Sequence, residues 1–225
     1  MSTRRFTLVI GNRNYSSWSM RAWLLMRELG IEFEERVLPL FSETFAREIV
    51  KYSPAKRVPV LLVDDFPIWD TLAIAEYLAE AFPDRGVWPR NAFDRARARS
   101  VCAEMHSGFG ALRAHMPVNV EASLPGLGWN VQVQDDIDRI VRIWSELRDA
   151  HAQSGPFLFG AYGAADAFFA PVASRFQTYQ VGLPKQCQDY ARAVLESASM
   201  RQWTEAALTE RSFLAEDELY RRSRD

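Results

Sequence analysis

Apolar and β-branched residues run from Phe6 to Ile10 and stop at Gly11-Asn12, the pattern of a buried strand. A polar, serine-rich stretch follows, then Met20 to Leu29 predicts a helix stopped by Gly30. Ile31 to Leu38 alternates as a second strand, and Phe45 to Val50 predicts a short helix ending at Tyr52-Ser53-Pro54. Val58 to Val63 and Phe66 to Trp69 are two more strands, paired across an Asp64-Asp65 turn. Thr71 to Phe82 closes the series as a helix with Leu72, Ala75, Leu78 and Ala79 on its apolar face. The order β-α-β-α-β-β-α implies a mixed sheet with helices on its faces.

Pro83 to Arg90 is rich in chain breakers, and beyond it the strand pattern disappears. Met105, Phe109, Leu112 and Met116 recur at helical spacing up to Pro117. Val133, Ile137, Ile140, Val141, Trp144 and Leu147 form another stripe, ended by Gly155-Pro156. Ala164 to Tyr179, Gln186 to Ser197 and Met200 to Thr209 predict further helices, whereas Leu214 to Asp225 is charged enough to fray. The division expected is a small α/β domain (1–83), a linker (84–92) and an all-helical domain (93–225).

Composition narrows the classes of function. The chain has 225 residues, with 27 Lys plus Arg against 29 Asp plus Glu. Near-neutrality gives no electrostatic reason to expect nucleic acid or an anionic membrane as partner. Arg95, Arg97 and Arg99 step by two, so a helix splits them between faces instead of forming a basic stripe. Met1 to Arg5 lead into a strand with no signal-peptide core, and no apolar run reaches the length of a membrane span. Cys102 and Cys187 are far apart and fit reduced, structural thiols of a cytoplasmic protein. Three His and two Cys show no metal-ligand spacing, and no glycine-rich phosphate loop follows the first strand.

Three segments could carry chemistry. In Asn14-Tyr15-Ser16-Ser17-Trp18-Ser19-Met20-Arg21 a serine can simply cap the helix. The same helix start can also hold an anion, such as a thiolate, with a serine hydroxyl donating to it. Ionising a thiol of pKa near 8.5 at neutral pH takes about 2.7 kcal/mol, within reach of one charge-assisted hydrogen bond plus the helix terminus. Pro59, in Lys56-Arg57-Val58-Pro59, opens a strand as an ordinary trans proline or forms a cis bond that turns the Val58 backbone toward a peptide-like ligand. Asp70 or Thr71 caps a helix, or Thr71 binds a ligand carboxylate while Asp70 pairs with an amine.

These segments, in this order and spacing, resemble the cytosolic glutathione transferase superfamily over nearly the whole chain. Ser16-Ser17-Trp18-Ser19-Met20-Arg21 is most similar to the serine motif of the zeta class, with Trp18 where that motif has Cys. The resemblance implies an α+β chain: a thioredoxin-like glutathione-binding domain followed by a helical bundle that shapes a second, electrophile site. It assigns Ser16 to the catalytic serine by position, with Ser17 and Ser19 as alternatives. It likens Val58-Pro59 to the family's Val-cisPro, Asp70-Thr71 to its γ-glutamyl pair, and lets Arg57 or Lys56 reach the glycyl carboxylate. Glutathione as co-substrate, a homodimer, and conjugation or a maleylacetoacetate isomerase-like reaction are implied in the same way.

The second-substrate site is expected around Met105, His106, Phe109 and Arg113, where Gly108 and Gly110 are costly inside a helix and His106 and Arg113 share a face. Arg175 follows the apolar run Phe168 to Ala173, so its charge needs a core carboxylate or an anionic substrate. The zeta class carries a substrate-binding arginine about one turn farther along. Asp166, three residues after Gly163, resembles half of the family's helix capping box and is expected to be structural.

Overall fold

The computed structural model describes residues 4–224. Met1–Thr3, part of the stretch read above as lacking a leader, and Asp225, the end of the segment expected to fray, lie outside them. Four strands, β1 (Phe6–Ile10), β2 (Glu34–Val37), β3 (Val60–Val63) and β4 (Phe66–Trp69), form one sheet in the order β2-β1-β3-β4. β1 pairs parallel with β2 and antiparallel with β3, and β3 pairs antiparallel with β4. Helices α1 (Ser17–Glu28), α2 (Glu43–Ile49) and α3 (Thr71–Ala81) complete the β-α-β-α-β-β-α order. Helices α4 (Ala92–Ser107), α5 (Gly110–His115), α6 (Val131–His151), α7 (Ala164–Thr178), α8 (Lys185–Leu195) and α9 (Ala198–Glu210) follow.

Local chemistry moves several of the expected boundaries. α1 begins at Ser17 instead of Met20 because the Ser16 hydroxyl accepts from Ser19 N and so caps a first turn made of serines. Its other end is a Schellman motif: Gly30 has φ +63°, its N–H bonds Arg27 O, and Ile31 N bonds Met26 O. Ile31 is thereby drawn into the helix end, and β2 keeps only four residues. β3 starts at Val60, after Pro59, which has no N–H to give the ladder.

The stripe from Met105 to Met116 is two helices. α4 ends at Ser107, Gly108 is extended, Phe109 is left-handed at φ +58°, and α5 starts at Gly110. A Cβ on Gly108 would stand 2.8 Å from Glu104 O, so the glycine permits the break and is not a penalty inside a helix. Met105 and Phe109 are core residues, with Met105 at 0% exposure.

One continuous core joins the sheet face carrying Leu8 and Ile10 to α1, α3, α4, α6 and α7. α1 lies at its centre, buried from Ser19 to Met26, with Trp23 packed edge-on against Trp203 of α9 at 5.4 Å. A smaller cluster of Val9, Leu38, Ile49 and Val60 sits between the opposite sheet face and α2. Asp166 plays the expected structural part: its carboxylate accepts from Leu158 N and Gly163 N, both at 3.0 Å. Gly163 lacks the capping hydroxyl, but a Cβ there would meet Val87 O at 3.1 Å, and Ala164 N bonds that same oxygen. The segment 83–90 is therefore packed onto the start of α7, with Val87 and Trp88 buried.

Leu214–Arg224 does not fray. Glu218 is buried and receives bonds from Tyr15, Asn119 and Arg221, while Arg221 and Arg224 both pair with Glu121. The charge that argued against folding is neutralised in part by Glu121, 100 and 103 residues from Arg221 and Arg224, which no local pattern exposes. Both cysteines are free and buried, and burial pushes the Cys102 thiol well up from its ordinary value. No described helix is long and apolar enough to cross a membrane, and the described residues hold no cluster that could ligate a metal.

Candidate active site

The turn between β1 and α1 is held residue by residue. Gly11 N donates to Ser19 Oγ, and Asn12 Oδ1 accepts from Leu40 N. Arg13 binds Glu210 through its backbone N–H and Nη1, both at 2.9 Å, and also pairs with Glu35. The Asn14 side chain donates to Asn119 and accepts from Glu121 N. Ser16 then caps α1, its hydroxyl 2.7 Å from Ser19 Oγ, to which it donates. Ser17 is the first residue of α1, and its hydroxyl has no partner among the described residues. Of the three serines of the motif, Ser19 is at 0% exposure, and Ser16 and Ser17 face open space.

That space is a cavity of about 710 Å³. Its walls include Tyr15, Ser16, Ser17 and Trp18, the loop residues Lys56, Arg57 and Val58, and Arg113, Arg175 and Asp217 from the second half of the chain. A second cavity, about 450 Å³, is lined by Trp18, Arg57, Val58, Pro59, Trp69, Asp70, Thr71 and His106. The two share Trp18, Arg57 and Val58 as walls. The Val58–Pro59 bond is cis.

Asp70 and Thr71 stand at the start of α3. Asp70 Oδ1 caps the helix by accepting from Leu72 N at 2.9 Å, and Oδ2 lies 3.3 Å from His106 Nε2. Burial lowers the pKa of His106, with Asp70 opposing the shift. The buried Thr71 hydroxyl has no hydrogen-bond partner among the described residues, although it belongs to a residue on the cavity wall. An orphaned donor of that kind is costly unless a ligand or water completes it.

Arg113 and His106 do not share a helix face, because the α4–α5 break separates them. Arg113 folds back over the end of α4, donating to Gly108 O at 3.0 Å and also to Met105 O and His106 O. Its guanidinium stands 5.0 Å over the Trp18 ring. Arg175, 3% exposed, donates to Met116 O at 2.7 Å and Pro171 O at 3.2 Å. The core carboxylate expected as its partner is absent among the described residues. Burial, then repulsion from Arg113, pulls Arg175 down to about 9, which leaves it a cation at neutral pH.

The remaining expectations divide simply. Ser16, Ser17, Arg57, Val58, Arg113 and Arg175 meet at the larger cavity, and Arg57, Val58, Pro59, Asp70, Thr71 and His106 at the smaller. Met105 and Phe109 line neither, because both turn into the core. Sequence reasoning passed over three residues. Trp18 is the wall common to both cavities and also stacks on Arg21 at 4.2 Å. Arg21, at 0% exposure, has all three guanidinium nitrogens without a hydrogen-bond partner among the described residues. Tyr15 lines the larger cavity, but its hydroxyl donates to Glu218 at 2.7 Å, and burial followed by that bond pushes its pKa up to about 12. A tyrosine directly before Ser16 was the visible signal, and the partner on Glu218 was not.

Comparison with known proteins agrees with this architecture. Residues 15–81 match the model of the glutathione S-transferase N-terminal domain, and residues 130–206 match that of the C-terminal domain. The chain belongs to the glutathione S-transferase family. A glutathione transferase homolog from Burkholderia gl BGR1, solved with bound glutathione, superposes with a TM-score of 0.70 at 26% identity, over 91% of this chain and 99% of that one. A zeta-class maleyl pyruvate isomerase superposes at 0.68 with 19% identity, over 89% and 97% of the two chains, a likeness of fold.

Among curated sequences, a probable maleylacetoacetate isomerase of Caenorhabditis elegans is 32% identical over 50% of this chain and 51% of its own length. Glutathione S-transferase 1 of Dianthus caryophyllus is 29% identical over 75% and 76%. The chain thus spans about half the length of the isomerase relative.

Proposed function

We propose that this chain binds glutathione across the two cavities and turns its thiolate on a small anionic electrophile. The γ-glutamyl end occupies the smaller cavity, where Asp70 meets the amine and the unpartnered Thr71 hydroxyl meets the carboxylate. The sulfur lies at the start of α1. Arg57 or Lys56 is left for the glycyl carboxylate. This reading keeps the division into 1–83, 84–92 and 93–225, with the electrophile held by the last part.

Thiol activation follows from the serine pair. In the structure Ser16 donates to Ser19 Oγ, which also accepts from Gly11 N. When a thiolate arrives, the Ser16 proton turns to sulfur and the Ser19 hydroxyl donates back to Ser16 Oγ. The Ser16–Ser19 contact survives with reversed polarity, so a charge-assisted bond of about 1.5–3 kcal/mol is added at little loss. Ser17, with a free hydroxyl on the same wall, is the second candidate for this role.

The observation that carries the substrate class is the pair Arg113 and Arg175. Both line the larger cavity, and among the described residues both hydrogen-bond only to backbone carbonyls. Two cations with no ion pair among the described residues, near a site of sulfur attack, suit an electrophile bearing a carboxylate. In an isomerisation the thiolate would add to a conjugated carbon, the former double bond would rotate, and the C–S bond would break to release glutathione unchanged. In a conjugation the C–S bond would persist.

Arg175→Met, close in size and without charge, is expected to raise KM for a carboxylate-bearing electrophile by about 10- to 150-fold. Turnover of a neutral electrophile should stay as it was. Equal losses on both substrates in steady-state kinetics would remove the anion site from the reading. Retention on glutathione-agarose with no turnover of any electrophile would make the chain a binding protein of this fold. The resemblance further supports a cytoplasmic homodimer, for which exposed Phe66, Trp69 and Phe93 offer apolar surface, and sedimentation equilibrium tests the dimer.

A further inference from the structure

Glu218 is an acid in an unusual place. Its side chain is 1% exposed, on a segment that forms no helix or strand, and it lies 203 residues in sequence from the tyrosine it binds. Both its oxygens are fixed. Oε1 accepts from Tyr15 Oη at 2.7 Å and Asn119 Nδ2 at 2.8 Å, and Oε2 accepts from Arg221 Nε at 2.9 Å. Burial alone would raise its pKa, but Arg221 and Tyr15 outweigh that and hold it below the ordinary glutamate value.

The destinations of these bonds matter more than their number. Tyr15 directly precedes Ser16. Asn119 reaches the same turn by a second route, since its Oδ1 accepts from Asn14 Nδ2 at 3.0 Å. Tyr15 and Asn14 are therefore clamped from one point, and that point is an ionised carboxylate on the C-terminal segment. Asp217, the neighbour of Glu218, lines the larger cavity. Burial, then its acidic neighbours Glu216 and Glu218, raises the pKa of Asp217.

We infer that Glu218 is a positioning residue for thiol activation: through Tyr15 and Asn119 it fixes the turn that aims Ser16 at the sulfur. The inference rests on the proposed role of Ser16. A hydroxyl delivers a charge-assisted bond only when its angle and distance are held, and displacement of about 1 Å is enough to lose much of a catalytic effect. The Tyr15 hydroxyl is committed to this clamp and is unavailable to the sulfur itself.

The experiment titrates bound glutathione by the ultraviolet absorption of its thiolate in the full chain, and measures turnover beside it. Three variants are compared with wild type. Glu218→Ala removes the clamp, Tyr15→Phe removes only the hydroxyl and spares the fold, and Glu218→Gln keeps the shape and loses the charge. Glu218→Ala and Tyr15→Phe are expected to raise the titration midpoint by about one pH unit and lower kcat about tenfold at neutral pH, with KM for glutathione little changed. Glu218→Gln should fall between them and wild type.

A midpoint and kcat that stay at wild-type values in Tyr15→Phe, with only the melting temperature lowered, would overturn the inference and leave the role of Ser16 standing. A wild-type midpoint equal to that of free glutathione would overturn both.

Discussion

Ser16→Ala is expected to cut glutathione-dependent turnover by about 10- to 150-fold, the range set by losing one hydrogen bond to a charged sulfur. The loss should sit in kcat, because the bond strengthens as the thiolate forms and contributes little to holding the peptide. A smaller effect on stability accompanies it. Ser16 caps α1 by accepting from Ser19 N, and removal of such a cap costs about 1 kcal/mol. Stopped-flow or steady-state rates on a generic electrophile check the first expectation, and chemical denaturation checks the second. Ser17→Ala supplies the contrast. Its hydroxyl makes no bond in the fold, so its stability should hold, and its turnover should hold as well if Ser16 is the donor. A collapse in Ser17→Ala with near-normal turnover in Ser16→Ala would transfer the role to Ser17.

The largest change in stability should come from Asp166, which touches no cavity residue named for catalysis. Asp166→Ala leaves the buried Leu158 N and the half-buried Gly163 N unbonded, and each orphaned donor costs about 1–3 kcal/mol, the half-buried one at the lower end. A total near 4 kcal/mol would lower the melting temperature by roughly 8–16 °C in a chain of this size. The pH dependence has a definite sign. Burial raises Asp166 from 3.8 to about 6, so the folded state holds its proton more tightly than the unfolded state does. Its contribution to stability is complete below pH 3.8 and is lost as pH rises through about 6. Asp166→Asn cannot titrate, and its stability should lack that slope relative to wild type. Parallel curves for the two proteins between pH 4 and 7 would show that the carboxyl carries no such shift.

What the sequence revealed was governed by range. Strands such as Phe6–Ile10 and Phe66–Trp69 follow from uninterrupted apolar runs with turn residues beside them, and both are found where the pattern put them. The serine motif, Pro59 and Asp70-Thr71 were visible because each has its own local signature. Failure came wherever a distant partner decided the outcome. Local backbone geometry hides as well: a glycine in a helical stripe reads as a cost, yet Gly108 marks the point where α4 stops and α5 starts. Met105 and Phe109 kept perfect spacing across that break and still faced the core. The charged C-terminal segment looked unable to fold because Glu121, Asn119 and Tyr15 were not known to be next to it. Arg175 was correctly singled out as a buried cation, but its partners are carbonyls, a kind of neighbour that carries no sequence signature.

The burial of α1 on every side has a consequence for how the chain can be divided. Its one helix supplies the packing surface for β1 and α3 and, on its other flank, for α7 and α9. Separate expression of residues 1–83 and 93–225 would therefore strip both fragments of shared interior, leaving greasy faces open to water. Neither piece should persist alone as a well-behaved species, and mixing them at sufficient concentration should restore the missing half of each interior. Evolution can vary the rim of such a molecule freely, while a change in the girth of this helix must be answered in both halves at once.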